Sequence, residues 1–184
     1  MLIYARASGL AEKVVEMVAI EPAPRGHVRL ARLEPSDGEA LRRFFFRLSP
    51  ETVYRRFMSP VARPEQTRPE RLLDVDHRDR EALLGVVDGE IVGVARYARW
   101  PGTDAADLAV VVADAWQRQG VATRMLAALA DVAVDAGIEQ FTLTMQADNR
   151  PVLALVRRLY PSARLALSQG VLEGTVPLPT GHAD

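Results

Sequence analysis

The chain has 184 residues, 48% hydrophobic and 26% charged, with a net charge of -1 and no cysteine. That length fits a single globular domain with a sizeable core. A disulfide framework, a cysteine nucleophile and thiolate zinc sites are excluded, no basic field invites nucleic acid, and no apolar run reaches the ~20 residues that span a bilayer. His27, His77 and His182 lie far apart without ligand spacing, so no metal is expected. Of the 23 basic residues only Lys13 is a lysine, which argues against a lysine nucleophile; codon bias accounts for the preference most simply. The N-terminus lacks the basic and apolar regions of a signal peptide, and the expectation is a cytoplasmic protein.

Residues 1–26 read as an N-terminal extension, with "LAEKVVEMVAI" as a short helix and "EPAPRG" as a linker. "HVRLARL" alternates as a strand over His27–Leu33. "SDGE" (Ser36–Glu39) has capping-box spacing ahead of the helix "ALRRFFFRL", whose three rings at Phe44–Phe46 do not fit one buried face. Ser49-Pro50 opens a helix through Phe57, and "TRPE" (Thr67–Glu70) starts a short one ending near Val75. "ALLGVV" and "IVGVARY" flank Asp88-Gly89, which suits a type I′ hairpin. "DLAVVV" reads as a strand over Ala106–Val112 buried on both faces. A helix runs from Gly120 to Ala136 and ends at Gly137. "EQFTLTMQ" is a strand with Phe141, Leu143 and Met145 on one face. "NRPVLALVRRL" is a helix capped by Asn149, and two short strands surround Gln169-Gly170. Together these give an α/β domain whose mixed, mostly antiparallel sheet has helices on both faces and one parallel pair made by a right-handed crossover.

Between the strand "DLAVVV" and its helix lies "ADAWQRQG". A helix start carries unpaired N–H groups and partial positive charge, and it binds phosphate. Gly120 permits close backbone approach and Ala122 keeps the next contact small. Gln117 and Gln119 offer donors and Arg118 a fixed charge, while Trp116 reads as packing below the loop. Neither a Walker A loop nor a three-glycine dinucleotide fingerprint is present. An ordinary strand-to-helix turn is the competing reading.

In context, "WQRQGVA" resembles the pyrophosphate loop of the GNAT N-acetyltransferases, Gln/Arg-x-x-Gly-x-Gly/Ala, here Gln117-x-x-Gly120-x-Ala122. "RLSPETVYRRFMSP" and "DVDHRDREALLGVVDGEIVGVARY" are similar to the branch related to bacterial protein-lysine acetyltransferases. The likeness covers about Val28 to Leu167 and implies a single-domain GNAT fold over residues 27–177, with a tail at 178–184. It implies acetyl-CoA as co-substrate, held by the strand backbone at Val110, Val111 and Val112, by the loop and helix start from Gln117, Arg118, Gln119 and Gly120 to Val121, Ala122 and Thr123, and by Asn149. It also implies a Val110 N–H at the thioester oxygen and Asp107, in place of a family glutamate, as the base. Two departures stand out: Arg118 replaces a frequent glycine, and Tyr160-Pro161 replaces the Gly-Phe that usually follows the helix.

Glu81 is the rival base and reads more plainly as a strand-start residue. His77, among charged neighbours, reads as a surface-loop residue. Tyr160 lies a turn beyond the place of the family's general-acid tyrosine, where this chain has Val156. The expected reaction is acetyl transfer to a protein lysine or a small-molecule amine by an acyl-CoA N-acyltransferase. A homodimer is left open, and no nucleic acid or membrane partner is expected. A non-catalytic acyl-CoA-binding module and a nucleotide-binding protein unrelated to CoA are the alternatives.

Overall fold

The structure, a computed structural model, describes residues 14–15, 27–58 and 72–179. In chain order the elements are β1 (Val14–Val15), β2 (Arg29–Arg32), α1 (Gly38–Phe46), α2 (Pro50–Phe57), β3 (Arg80–Val87), β4 (Glu90–Arg99), β5 (Ala105–Val112), α3 (Val121–Asp135), β6 (Gln140–Gln146), α4 (Arg150–Leu159), β7 (Arg164–Ser168) and β8 (Val171–Pro177). They form one sheet in the order β1-β2-β3-β4-β5-β6-β8-β7. Among the strand pairs of the described residues, only β5–β6 is parallel. The type I′ turns follow from local chemistry: Asp88 and Gly89 (φ 49° and 80°), and Gln169 and Gly170 (φ 48° and 81°), take the left-handed backbone that closes each hairpin.

Helices cover both faces. Leu41, Phe44, Phe45 and Val53 of α1 and α2 bury against Ala82, Leu84, Val94 and Val111 on one face. Met125, Leu126 and Leu129 of α3 and Val156 of α4 pack on the other against Leu83, Ala95, Tyr97 and Phe141. Of the three phenylalanines in α1, Phe44 and Phe45 are buried and Phe46 faces out.

Several local expectations change. At Val14–Val15 the backbone pairs with β2 where a helix was expected; apolar pairs fit either period, and the free edge of β2 selects the extended form. The remainder of that expected helix, and most of the one begun by "TRPE", lie outside the described residues. The capping box ahead of α1 is formed by Glu34 and Asp37, not Ser36 and Glu39, and it caps a 3₁₀ turn at Pro35–Asp37. Ser49 caps α2 as expected, its hydroxyl accepting from the Thr52 N–H at 3.2 Å. The strand β5 is not buried throughout: Asp107 is exposed and Leu108 to Val110 are half-buried. That departure marks the site.

Candidate functional site

The strand β5 pairs with β4 along its length, from Arg99↔Ala106 to Gly93↔Val112. With β6 it pairs only at Ala105↔Gln140, Ala106↔Phe141 and Asp107↔Thr142. Beyond Asp107 the parallel strands part and leave a wedge between them. Which groups line the wedge follows from strand alternation. The Ala113 N–H bonds to the Val92 carbonyl on the β4 side, and the Ala105 carbonyl also faces that way, accepting from Trp100. The Ala106 carbonyl accepts from Thr142 on the β6 side. Residues 106, 108, 110 and 112 therefore direct their backbone groups towards β6, and residues 107, 109, 111 and 113 towards β4. By that parity the Val110 N–H faces the opening. Val111 differs: its N–H belongs to the β4 ladder and its side chain to the core under α1 and α2.

At the end of β5 the chain turns through a 3₁₀ segment, Asp114–Trp116, and enters α3 through two left-handed residues, Arg118 (φ 59°) and Gly120 (φ 79°). Gly120 is the N-cap of α3, and no side chain caps the helix. A Cβ on Gly120 would meet nothing within 4 Å, so the space before the helix start is open. The carboxamides do not act as expected. Gln117 Nε2 donates to Thr52 Oγ1 and to the Val112 carbonyl, both at 3.1 Å, and Gln119 Nε2 donates to the Ala115 carbonyl at 2.7 Å. These donors brace the loop, and the first backbone N–H groups of α3 are left without a side-chain cap. Trp116 is half-buried against the core, as expected of packing below the loop.

The helix α2 is tied to the same loop. Asp114 accepts from the Ser49 N–H at 3.0 Å, the Ser49 hydroxyl at 2.7 Å and the Thr52 hydroxyl at 2.8 Å. Partial desolvation acts to raise the Asp114 pKa, but these hydrogen bonds prevail and hold it below the usual carboxylate range. At the same helix, Arg55 reaches Asp148, next to Asn149, at 3.4 Å. Asn149 is buried, caps α4 and accepts from the Val152 N–H at 3.4 Å.

Asp107 projects from β5 on the face covered by α1 and α2, opposite Ala98. Two residues before Ala98 on β4 is Arg96, diagonal to Asp107 and within reach of a long side chain. Arg56 comes from α2, one turn after buried Val53, and it feels the charges of both Arg96 and Asp107. Although Asp107 remains solvent-accessible, crowding protein strips hydration from its carboxyl and raises its pKa, against the pull of Arg56 and Arg96. Desolvation together with repulsion from Arg96 lowers the Arg56 pKa to about 10, despite attraction from Asp107. The Arg96 pKa is lowered too, mainly by desolvation. Neither arginine was singled out from the sequence, because only sheet register and α2 packing bring them to Asp107.

Glu81 lies elsewhere. It faces Tyr97 across the β3–β4 ladder, on the α3 side of the sheet, and is fully buried. His77 Nδ1 lies 3.0 Å from its Oε1, Arg32 Nε is 3.4 Å from Oε2, and its own strand supplies the Ala82 N–H at 2.8 Å. His77 is therefore half-buried and paired, not a free surface-loop residue. Val156 sits in the core, and the Tyr160 hydroxyl donates to the Leu126 carbonyl at 3.4 Å. Burial, with the nearby Asp131 charge, pushes the Tyr160 phenol up to about 12.

The model of the acetyltransferase (GNAT) family matches residues 43–159. The chain belongs to the GNAT acetyltransferase family. It is 33% identical over 128 residues to an acetyltransferase of Pseudomonas aeruginosa, covering 67% of this chain and 69% of that protein. It is 32% identical over 116 residues to the acetyltransferase Pat of Mycolicibacterium smegmatis, covering 60% of this chain but only 34% of that longer protein. The GNAT domain of S. lividans PAT superposes with a TM-score of 0.75 at 27% identity, over 82% of this chain and 90% of that one. Among the described residues of this GNAT protein no helix is long and apolar enough to cross a membrane, and no group of three His, Cys, Asp or Glu side chains is placed to hold a metal.

Proposed function

We propose that the protein transfers an acetyl group from acetyl-CoA to a primary amine, with both bound at once. The observation that carries the reading is the wedge beyond Asp107↔Thr142, where the Val110 N–H faces an opening that leads to the uncapped start of α3. Pantetheine is an extended amide chain that suits a free strand edge, and a pyrophosphate suits the N–H groups and positive end of a helix. In this reading loop residues 117–123 and Asn149 line that path. Holding both reactants in line converts a bimolecular encounter into an oriented attack.

In the reaction the amine nitrogen forms a bond to the acetyl carbon and the thioester C–S bond breaks. The carbonyl oxygen gains charge in the transition state, and the Val110 N–H is the donor aimed at it. Asp107 takes the proton that the amine must lose, directly or through one water, since aspartate is a methylene shorter than glutamate. Loss of hydration makes Asp107 a stronger base than an ordinary aspartate. The leaving thiolate needs no protein acid, because a thiol pKa is near ~8.5, and neither core Val156 nor hydrogen-bonded Tyr160 is placed to supply one. With no cysteine in the chain, no thiol can carry the acetyl group between steps.

The test is free-thiol release from acetyl-CoA with a panel of amines and lysine peptides, with mass spectrometry of the products. An amine-dependent rate and a product heavier by one acetyl group support the reading. Acetyl-CoA binding without turnover of any amine favours instead the acyl-CoA-binding module.

A further inference from the structure

Trp100 remains 51% exposed, yet its ring is firmly held. The indole N–H donates to Thr142 Oγ1 at 3.1 Å. The Trp100 backbone N–H donates to the Ala105 carbonyl at 2.8 Å, and its carbonyl accepts from the Thr103 N–H at 3.1 Å. Just before it, Arg99 is bound to Asp79 at 2.7 Å and to the Ala136 carbonyl at 2.6 Å. Core packing does not account for so firm a mount on a ring left half in water.

The bond to Thr142 also fixes where the ring lies. Trp100 directly follows β4, Thr142 belongs to β6, and β5 runs between those two strands. The indole therefore crosses over β5. It does so on the α1–α2 side, because Thr142 alternates with Phe141 and Leu143, which are buried in the core on the α3 side. Asp107 is on that same side, paired with Thr142 and diagonal to Trp100 through the Ala98↔Asp107 register. The side chain starts level with buried Ala105 and ends level with Asp107. Along β5 the wedge opens on the far side of Asp107, towards Val110, and in the acetyl-transfer reading the thioester arrives there. The indole bounds the near side. An amine that meets the thioester at Asp107 leaves the rest of its molecule over the indole. That surface is flat and apolar, and its one polar edge is already bonded to Thr142, so it suits methylenes rather than a charged group.

We infer that Trp100 is an acceptor-binding residue: it takes an unbranched alkyl chain on its indole and so selects amines carried at the end of such a chain. Thr142 is the positioning residue that holds the ring across β5. Lysine side chains and free alkylamines share this chemistry. This rests on the acetyl-transfer reading above and narrows its acceptor.

The experiment measures kcat/KM with acetyl-CoA along two series: n-alkylamines from ethylamine to hexylamine, and a lysine peptide beside its ornithine and diaminobutyrate counterparts. Each added methylene should raise kcat/KM by about two- to fourfold, up to the worth of one buried CH₂. In Trp100→Ala that gain per methylene should fall towards one, while acetyl-CoA still raises the melting temperature as in the parent. Trp100→Phe should keep part of the gain. Thr142→Val should flatten it and Thr142→Ser restore it, a pattern that a merely structural role would not give. The faster series identifies the source of the amine, and either supports the inference when its chain-length gain depends on Trp100. No gain along either series in the parent, or a gain unchanged in Trp100→Ala, overturns the inference and leaves acetyl transfer standing. Should no amine be turned over at all, the transfer reading and the inference fall together. If Trp100→Ala does not fold, Trp100→Phe and the two Thr142 variants carry the same comparison.

Discussion

Glu81 and Asp107 stand on opposite faces of the central sheet. Glu81 pairs with Tyr97 and Asp107 with Ala98, and Tyr97 and Ala98 are neighbours on β4 whose side chains point opposite ways. The two carboxylates that compete for the role of base in the sequence therefore do not share a cleft. Glu81 is a structural charge, enclosed with His77 and Arg32, and its proximity, after burial itself, helps push the Tyr97 phenol up to about 12.

That separation gives a stability prediction. Glu81→Gln removes the charge from a buried pair and should cost about 2–3 kcal/mol. At this chain length the melting temperature should fall by roughly 4–12 °C. Turnover per folded molecule should stay within about threefold of the parent. A normal melting temperature with turnover reduced a hundredfold would return Glu81 to the chemistry.

Tyr160 gives the converse case. Its hydroxyl is turned to the Leu126 carbonyl on α3, and burial keeps it protonated far above neutral pH. Tyr160→Phe should leave turnover within about threefold, with a loss of stability of about 1 kcal/mol for one hydrogen bond. The check is a rate measured with saturating acetyl-CoA. A fall of two orders of magnitude at unchanged cofactor affinity makes Tyr160 the general acid.

The helix start can be tested at Gly120. Its φ of 79° strains any residue with a Cβ, and valine most of all. Asparagine tolerates this region best, and its side chain would fill the open space before α3. Acetyl-CoA at ~100 times Kd should stabilise the parent by about 2.7 kcal/mol. Gly120→Asn should fold and show little of this gain. A full thermal shift in the variant would move the pyrophosphate elsewhere.

Much of the fold is legible along the chain because it is set by neighbouring residues. Asp88-Gly89 and Gln169-Gly170 can take positive φ, Ser49-Pro50 and Asn149 cap helices, and Gly120 marks the entry to α3. What escapes is what depends on parity and pairing. Whether Glu81 meets Asp107 turns on a register that no local pattern fixes; the β4–β5 register sets Arg96 diagonal to Asp107, and Arg56 comes near only after α2 settles on the sheet. The partial exposure of β5 is hidden for the same reason: its apolar run looks doubly buried, but β6 leaves it beyond Thr142.

The raised Asp107 pKa carries a pH signature. Folding disfavours the ionised carboxyl, so the protein is penalised once the pH rises above the unfolded pKa near ~3.9, and the penalty is complete above the folded value. Asp107→Asn is free of that penalty. It should melt slightly above the parent at pH 7, with the gap closing as the pH falls to about 4. Melting curves across that range are the check, and a variant less stable at pH 7 would mean that its arginine neighbours gain more from the charge than hydration loss costs it.

The most direct test of the account as a whole is the turnover of that same variant. With acetyl-CoA and the best amine acceptor found, Asp107→Asn should bind acetyl-CoA within a few fold of the parent and turn over roughly 10²–10⁴ times more slowly, the range lost with a general base. Turnover equal to the parent from pH 6 to 9 would contradict the assignment of the base to Asp107.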